Sequence, residues 1–263
     1  MKTGFIGGGN MAEALIRGMT SRGMKDIVVS EPLKERRRYL QKTYNIETTG
    51  TNRDIVSSCN IIILAVKPQN MDAVTREIRG TLTDDRTVVS IAAGITIAYL
   101  ASRLGTGRII RVMPNTPALV RKGMTVLSPC EGVSGGDIAA VSDIFRSVGE
   151  VITLPEKHMN AVTALSGSGP AFIAYFVEAM TEGGIRTGLG RDEALKLAVR
   201  TLAGTSELLD AGMSPSKLRE MVTSRGGTTE AGLRVFENGR LADMVAEALQ
   251  AARKRAEELG RGS

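Results

Sequence analysis

The sequence predicts an α/β protein with a doubly wound, mainly parallel sheet in residues 1–155 and an all-α region in residues 156–263. Two observations predict this division. Short apolar runs alternate with helical patterns up to about residue 154, which is typical of parallel strands joined by helical crossovers. From about Glu156 the strand signals stop, and one helical pattern follows another. A chain of 263 residues can bury a large core in one domain or in two, so its length does not choose between them.

The composition is that of a globular protein, with 42% hydrophobic and 24% charged residues. The longest apolar run, Ile61 to Val66, is too short to span a membrane, and Met1 leads almost directly into a strand, so we expect a cytoplasmic protein without a signal peptide. Cys59 and Cys130 are far apart, which argues against a disulfide framework and against a zinc site. The net charge of +6 suits anionic ligands. The short runs of basic residues lie in helical patterns with acidic neighbours, so they favour solvated helix faces over a nucleic-acid surface.

The first element is a strand that ends in a glycine turn. The apolar pair Phe5-Ile6 breaks into Gly7-Gly8-Gly9, and a helical pattern follows with the spacing Gly7-x-Gly9-x-x-Ala12. This is the glycine motif of Rossmann-type dinucleotide-binding domains: Gly7 permits the sharp turn, and Gly9 lets a pyrophosphate approach the helix N-terminus. Ala12 keeps helix and strand close. The sequence therefore predicts a nicotinamide cofactor here; an ordinary glycine-rich turn between strand and helix is the alternative.

The second strand, Ile27 to Val29, ends where the choice of cofactor is usually made. Glu31 can accept hydrogen bonds from the two ribose hydroxyls of NAD and would repel the additional phosphate of NADP, so the sequence leans to NADH. Ser30, Lys34 and the run Arg36 to Arg38 supply donors and positive charge for that phosphate, which keeps NADPH open.

The sheet continues with a strand that is apolar throughout, as expected for a central strand buried on both faces. Further strands and intervening helices are predicted in the order: strand 61–66, helix 70–79, strand 87–91, helix 96–104, strand 108–112, strand 124–127, helix 137–148 and strand 150–154. Small residues and turn formers follow the strands at Lys67-Pro68, Ala92-Ala93-Gly94 and Met113 to Pro117. Right-handed crossovers would place these strand ends along the sheet edge at which open α/β sheets bind ligands.

The all-α region opens with Ser166 to Pro170, which we expect to cap a helix. The helix then starts at Ala171 and is apolar nearly all round through Val177. Since only about a hundred residues remain to cover it, we expect a second copy of the chain to supply a large apolar helical interface.

Hydroxyls and glycines crowd together at Met221 to Leu233. Thr228 is the expected N-cap of a helix that runs to about Asn238, with Gly239 as its stop. The N–H groups around Gly227 to Glu230 would then form an anion site suited to a carboxylate, with the Thr229 hydroxyl in the same pocket. An unspecialised capped helix start is the alternative.

At these residues the sequence resembles the pyrroline-5-carboxylate reductase family, the enzymes that make proline. The resemblance covers nearly the whole chain. It rests on the segment Val222 to Thr229 and on four further stretches: Phe5 to Ala12, Ala65 to Pro68, Met113 to Pro117 and Ala161 to Pro170. Three positions depart from the family pattern: Arg225 replaces a usual proline, Asn160 a common acidic residue, and Glu31 the small hydroxyl residue of many NADPH-using members.

The resemblance implies a Rossmann domain, a helical dimerisation domain that interlocks with its partner, and active sites between subunits, often within pentamers of dimers. The expected cofactor contacts are Ile6, Gly7, Gly8, Gly9, Asn10, Met11, Glu31, Asn52, Ala65, Val66, Lys67, Pro68, Ile91, Ala92, Ala93 and Asn115. The expected substrate contacts are Glu156, Ser224, Gly226, Gly227, Thr228 and Thr229, of which Thr229 is the catalytic candidate.

The chemistry agrees with this family. Reduction of a carbonyl develops an alkoxide and normally needs a positioned acid, yet the only histidine is His158, near the expected domain boundary. A cyclic imine already carries or readily accepts a proton, so the protein need only orient the ring while the cofactor supplies hydride. The alternatives are a β-hydroxyacid dehydrogenase, whose catalytic lysine is missing from Ser166 to Met180, and a non-catalytic nucleotide sensor.

Overall fold

The computed structural model describes residues 1–261, which form two compact units. The first unit comprises Met1–Ser168 and the described C-terminal residues from Ala251 onward; the second comprises Gly169–Gln250. The expected boundary lies at 155/156, whereas the first compact unit extends to Ser168. The thirteen residues from Glu156 to Ser168 form a short helical segment that belongs with the sheet domain.

The first unit contains an eight-stranded sheet in the order β3-β2-β1-β4-β5-β6-β7-β8. The strands are β1 Thr3–Ile6, β2 Ile27–Ser30, β3 Glu47–Thr49, β4 Ile61–Leu64, β5 Thr87–Ser90, β6 Ile109–Met113, β7 Gly123–Pro129 and β8 Gly149–Thr153. All neighbouring strands are parallel except β6 and β7, which are antiparallel. The predicted doubly wound, mainly parallel sheet is confirmed.

Two features of the sheet lie outside the sequence-based prediction. Strand β3 was not predicted, because Glu47–Thr49 is short and polar and forms an edge of the sheet, where it pairs with β2 alone. Strand β7 was predicted, but its direction was not. Only residues 114–122 connect it to β6, and a parallel crossover needs a dozen or more residues. The short connection therefore reverses the chain.

The sheet is buried on both faces. Successive residues of one strand belong to different apolar clusters: Phe5 packs with Leu15 and Phe145, whereas Ile6 packs in the cluster of Met71 and Leu100. Continuous apolar strands are what a sheet covered by helices on both sides requires.

The helices of the first unit are α1 Asn10–Ser21, α2 Lys34–Tyr44, α3 Asn52–Ser58, α4 Met71–Ile78, α5 Ile97–Leu104, α6 Gly135–Arg146 and α7 Met159–Val162. Helices α1, α4, α5 and α6 match the predicted helical stretches within a few residues, whereas the short helices α3 and α7 were not predicted. One expectation is wrong: Ser166 and Gly167 do not cap a helix. They belong to a π-helix, Thr163–Gly167, that follows α7, and the Ser168 N–H donates to Thr163 O at 2.9 Å. The hydroxyls and glycines of this stretch therefore lie inside helical backbone.

The second unit consists of helices joined by short turns. Its helices are α8 Gly169–Arg186, α9 Arg191–Asp210, α10 Pro215–Met221 and α11 Thr228–Asn238, followed by α12 Leu241–Arg261, whose last residues belong to the first unit. Large apolar side chains of α8 remain exposed in the single chain, among them Ile173 and Tyr175, the latter at 73%. Phe176 packs against Phe236 of α11, with ring centroids 6.4 Å apart. The apolar helix predicted from the sequence thus has a face that one chain does not cover.

Candidate active site

The glycine turn after β1 has the geometry that its spacing predicts. Gly7 has φ +101°, and a Cβ there would lie 2.6 Å from the carbonyl oxygen of Ala65. Any other residue would be strained twice over, by its backbone conformation and by this contact. The Gly7 N–H donates to Ser30 O at 2.8 Å, which ties the turn to the end of β2.

Gly9 is the N-cap of α1, with φ −71° and ψ −174°. Among the described residues, no atom beyond its chain neighbours lies within 4 Å of where its Cβ would be. The first N–H group bonded within the helix is that of Glu13, which donates to Gly9 O at 2.9 Å. The preceding amides of Asn10 and Met11 therefore have no partner within the helix and lie at its positive end. This cradle fits a pyrophosphate.

Glu31 lies beside this turn and is 9% exposed. Its Oε2 accepts from the Gly8 N–H and its Oε1 from the Leu33 N–H, both at 3.0 Å. Each carboxylate oxygen has a second lone pair, so the group can still accept from a ribose hydroxyl. Arg37 donates to the backbone oxygens of Glu31 and Pro32. That arginine is thus engaged in holding the chain after β2.

The remaining expected cofactor residues follow neighbouring strands. The Ala65 N–H donates to Ile6 O at 2.9 Å and the Ile91 N–H to Leu64 O at 3.3 Å, so the ends of β1, β4 and β5 lie side by side. Residues Val66, Lys67, Pro68, Ala92 and Ala93 continue from these ends, with Lys67 exposed and Ala92 buried. The structure therefore brings the predicted cofactor residues of β1, β2, β4 and β5 to one edge of the sheet.

Asn52 begins α3, and both polar atoms of its side-chain amide form hydrogen bonds. Its Oδ1 accepts from Ser30 Oγ and its Nδ2 donates to Glu77 Oε2, both at 2.7 Å. Asn115 follows β6 and is bonded in the same way: its Oδ1 accepts from the Met124 N–H at 2.9 Å, and its Nδ2 donates to Ser166 Oγ at 3.2 Å. Asn115 thus joins the β6–β7 connection to the π-helix.

Sequence reasoning did not identify the π-helix or its close contact with β6. A Cβ at Gly167 would lie 2.4 Å from Met113 Cε, so the backbone must approach that side chain closely. Single π-turns are frequent at functional sites. The small-residue run Ser166 to Gly169 was the signal that could have pointed to it.

Glu156 is engaged within the first unit. Its Oε1 accepts from the Ile97 N–H at 2.8 Å, which caps the start of α5, and from Arg111 Nη1 at 3.1 Å. Arg111 is a 4% exposed residue of β6 that also donates to Asn160 Oδ1 at 3.4 Å. Sequence reasoning missed Arg111, although an arginine inside an apolar strand was a visible signal.

The glycine and hydroxyl segment of the second unit forms the start of α11, but the expected N-cap is wrong by one residue. Gly227 is the N-cap: it is extended, with φ −83° and ψ 172°, and its carbonyl accepts from the Ala231 N–H at 3.2 Å. Thr228 is therefore the first helical residue. A Cβ at Gly227 would lie 2.4 Å from Ser224 Oγ and 3.0 Å from Ser224 O, so a larger residue at the cap would have to displace the Ser224 side chain. The helix ends at Asn238, and Gly239 follows as expected.

Two further details refine the anion site that the sequence predicts at this helix start. The Gly227 N–H already donates to Ser224 O at 3.0 Å, so the unbonded amides are those of Thr228 and the next two residues. The Glu230 carboxylate accepts from the Gly226 N–H at 2.6 Å, with Gly226 at φ +73°. The segment thus offers helix-end donors and the hydroxyl of the half-buried residue Thr229, with one carboxylate beside them.

The single histidine of the sequence, His158, is exposed in the short turn Glu156–His158. Residues 1–261 contain no group of three or more His, Cys, Asp or Glu side chains that could hold a metal ion. Among the helices of the described chain, none has the length and apolar character needed to cross a membrane.

Two family models match the chain. The one described as pyrroline-5-carboxylate reductase dimerisation matches residues 156–259, and the one described as NADP oxidoreductase, coenzyme F420-dependent, matches residues 2–94. A pyrroline-5-carboxylate reductase of Synechocystis sp. is 40% identical over 99% of each chain.

Two solved structures of pyrroline-5-carboxylate reductases are also similar to this chain. A pyrroline-5-carboxylate reductase from Coxiella burnetii superimposes with a TM-score of 0.93 at 36% identity, covering 98% of each chain. The Plasmodium falciparum pyrroline carboxylate reductase, solved with NADP bound, gives a TM-score of 0.87 at 30% identity and covers 99% of this chain and 98% of its own.

Proposed function

The chain belongs to the pyrroline-5-carboxylate reductase family, and from that premise we propose which of its residues carry the reaction. The protein reduces 1-pyrroline-5-carboxylate to L-proline with NADPH or NADH. It is an oxidoreductase of proline biosynthesis and a homo-oligomer. The family relationship favours this activity over that of a β-hydroxyacid dehydrogenase.

The glycine turn is our proposed cofactor site. The amides after Gly9 would hold the pyrophosphate, and Glu31 would accept from the ribose of the adenosine half. The bound nicotinamide supplies the hydride. Residues at the ends of β4, β5 and β6, from Ala65 to Asn115, would position its ring. Because Glu31 is buried and aimed at the turn, we propose that NADH is used at least as well as NADPH.

The start of α11 is our proposed substrate site. The amides of Thr228 and the two following residues would bind the carboxylate of the substrate, with Ser224, Gly226 and Gly227 shaping the turn that presents them. The Thr229 hydroxyl would orient the imine nitrogen, since a hydroxyl can donate to a neutral imine and accept from a protonated one. Two anchored points on a small ring leave one face of its C=N bond open. A direct contact between Glu156 and the substrate stays a prediction.

The position of Thr229, a half-buried residue in the first turn of this helix, is the observation that carries the assignment. Thr229→Val keeps the shape and removes the hydroxyl, so losing one hydrogen bond of about 1–3 kcal/mol should lower kcat/KM about ten- to a hundredfold. The matched control is Thr228→Val, one residue earlier. Because Gly227 is the N-cap, the control should leave the unfolding free energy nearly unchanged and affect turnover less. Wild-type kinetics in Thr229→Val would contradict the assignment.

The reaction itself is tested by cofactor oxidation with pyrroline-5-carboxylate, run in parallel with NADH and NADPH. Turnover with either cofactor supports the reductase. Binding of a nucleotide without turnover would instead support a non-catalytic sensor.

Three further points are proposals. We propose that the functional division of the chain lies at 155/156, supported by the family match that begins at Glu156. We propose a homodimer built on the exposed apolar face of α8, with active sites shared between subunits and a pentamer of dimers as the larger assembly. A cytoplasmic location stays our prediction.

A further inference from the structure

The peptide groups of the glycine turn are held from two sides by residues outside it. The Gly8 N–H donates to Glu31 Oε2 at 3.0 Å, and the Gly8 carbonyl accepts from Arg36 Nε at 2.7 Å. Gly8 is buried, and a Cβ there would lie 2.8 Å from Leu40 Cδ1. The middle of the turn is therefore a fixed part of the interior.

Arg36 is itself held in a half-buried cluster. Its Nη2 donates to Glu13 Oε2 at 2.5 Å, and its guanidinium lies 5.1 Å from the centre of the Tyr39 ring. The other oxygen of Glu13 accepts from Tyr39 OH at 2.9 Å and from Tyr44 OH at 2.7 Å. The Glu13 carboxylate of α1 thus holds Arg36 of α2 in place, and the hydroxyls of Tyr39 and Tyr44 hold the carboxylate.

The ionisation of this cluster agrees with its geometry. Burial alone would raise the pKa of the Glu13 carboxyl, but the hydrogen bonds from Tyr44, Arg36 and Tyr39 together hold that pKa below its ordinary value. Burial and the hydrogen bond to Glu13 raise the pKa of Tyr44 to about 12. At neutral pH the carboxylate is therefore charged and the Tyr44 phenol protonated, as the ion pair and the hydrogen bond require.

The hydrogen bond from Arg36 to the Gly8 carbonyl also sets the direction of the next N–H group, that of Gly9. A peptide group is planar and trans, so the Gly8 carbonyl and the Gly9 N–H point in opposite directions. When Arg36 holds the carbonyl towards α2, the Gly9 N–H must point away from α2. Within residues 1–261 that N–H has no hydrogen-bond acceptor, and the space beside Gly9 is open.

We propose that Arg36 is a positioning residue that aims the Gly9 N–H at the diphosphate of the dinucleotide, and that it does not act as a ligand of a 2′-phosphate. This inference rests on the proposed cofactor site. Nε and Nη2 of Arg36 are already committed to Gly8 and Glu13. A residue that acts through the diphosphate must affect the binding of NADH and of NADPH equally. A residue that contacts the 2′-phosphate would affect the binding of NADPH alone.

The test is equilibrium binding to the purified full-length protein by titration calorimetry. Three probes are used: NADH, NADPH and ADP-ribose, which keeps the diphosphate but has neither nicotinamide nor 2′-phosphate. Arg36→Met keeps the length of the side chain and removes its donors. We expect the Kd of all three probes to rise by a common factor of about ten, as the loss of one charged hydrogen bond implies. Lys42→Met, at an exposed position in the last turn of the same helix, is the matched control and should leave the binding of all three probes unchanged.

A second variant keeps the test decisive if Arg36→Met does not fold. Glu13→Gln removes the ion pair that holds Arg36. It should raise the Kd of all three probes, by a smaller factor than Arg36→Met does. In steady-state kinetics both variants should raise the KM for either cofactor and leave kcat at saturating cofactor near the parent value. A purely structural role would lower thermal stability without this split between KM and kcat.

The outcomes separate this inference from the proposed function. Weaker binding of NADPH alone would overturn the inference and make Arg36 a phosphate ligand. Unchanged binding of all three probes would also overturn it. If Gly9→Val lost binding while Arg36→Met bound normally, the cofactor site would stand and only the role of Arg36 would fall. If Gly9→Val bound like the parent, the cofactor site itself would be wrong.

Discussion

Gly9→Val should abolish tight cofactor binding without unfolding the protein. The backbone of Gly9 is in the extended region, φ −71° and ψ −174°, which valine also adopts. No described atom beyond the chain neighbours lies within 4 Å of the added Cβ. A branched residue at an N-cap costs at most about 1 kcal/mol relative to glycine, and the stiffer unfolded chain offsets part of it. The free energy of unfolding should therefore change by no more than about 1 kcal/mol.

The effect on binding should be much larger. The valine side chain would fill the space in which the pyrophosphate has to approach, and loss of even one charged hydrogen bond costs about 1.5–3 kcal/mol. This corresponds to a Kd at least about ten- to a hundredfold higher for both NADH and NADPH. Titration calorimetry measures the binding, and a thermal melt of the cofactor-free protein measures the stability.

Two control variants make the experiment specific. Gly80→Val places the same side chain in open space between α4 and β5, at the opposite end of the sheet, and should leave binding unchanged. Gly7→Val should instead unfold or strongly destabilise the protein, because Gly7 has φ +101° and the new Cβ would lie 2.6 Å from Ala65 O. If Gly9→Val bound both cofactors like the parent, the assignment of the glycine turn as the pyrophosphate site would be refuted.

Three further predictions concern cofactor choice, acid stability and assembly. Glu31→Ser should shift the ratio of kcat/KM values towards NADPH, because it removes a buried negative charge; a parent that strongly prefers NADPH would contradict the lean to NADH. Glu13 has a lowered pKa in the folded protein, so its contribution to stability is present above the ordinary carboxyl pKa and is lost as the pH falls through the folded value. The difference in unfolding free energy between parent and Glu13→Gln, measured in denaturant, should therefore shrink from pH 7 to pH 3, and a constant difference would argue against the ion pair with Arg36. Because the apolar face of α8 is uncovered in one chain, sedimentation at low concentration should show no stable folded monomer; a compact, active monomer would contradict the shared active site.

The sequence by itself determined the central strands of the sheet and the position of the glycine turn. Both depend on local spacing: the apolar run at Ile61 specifies a strand buried on two faces, and the spacing from Gly7 to Ala12 specifies a turn that only glycine can make. The apolar pattern of α8 likewise indicated a surface that one chain does not cover. Patterns of this kind act within a few residues, so the sequence shows them directly.

The tertiary structure alone decided which polar groups meet. The bond from Arg36 to Gly8 joins residues 28 positions apart, and the cap that Glu156 places on Ile97 joins residues 59 positions apart. No local pattern distinguishes such partners from other charged residues on the same helix face. Hydrogen bonds of this kind are short-range and directional, and their partners come within reach only after the chain has packed.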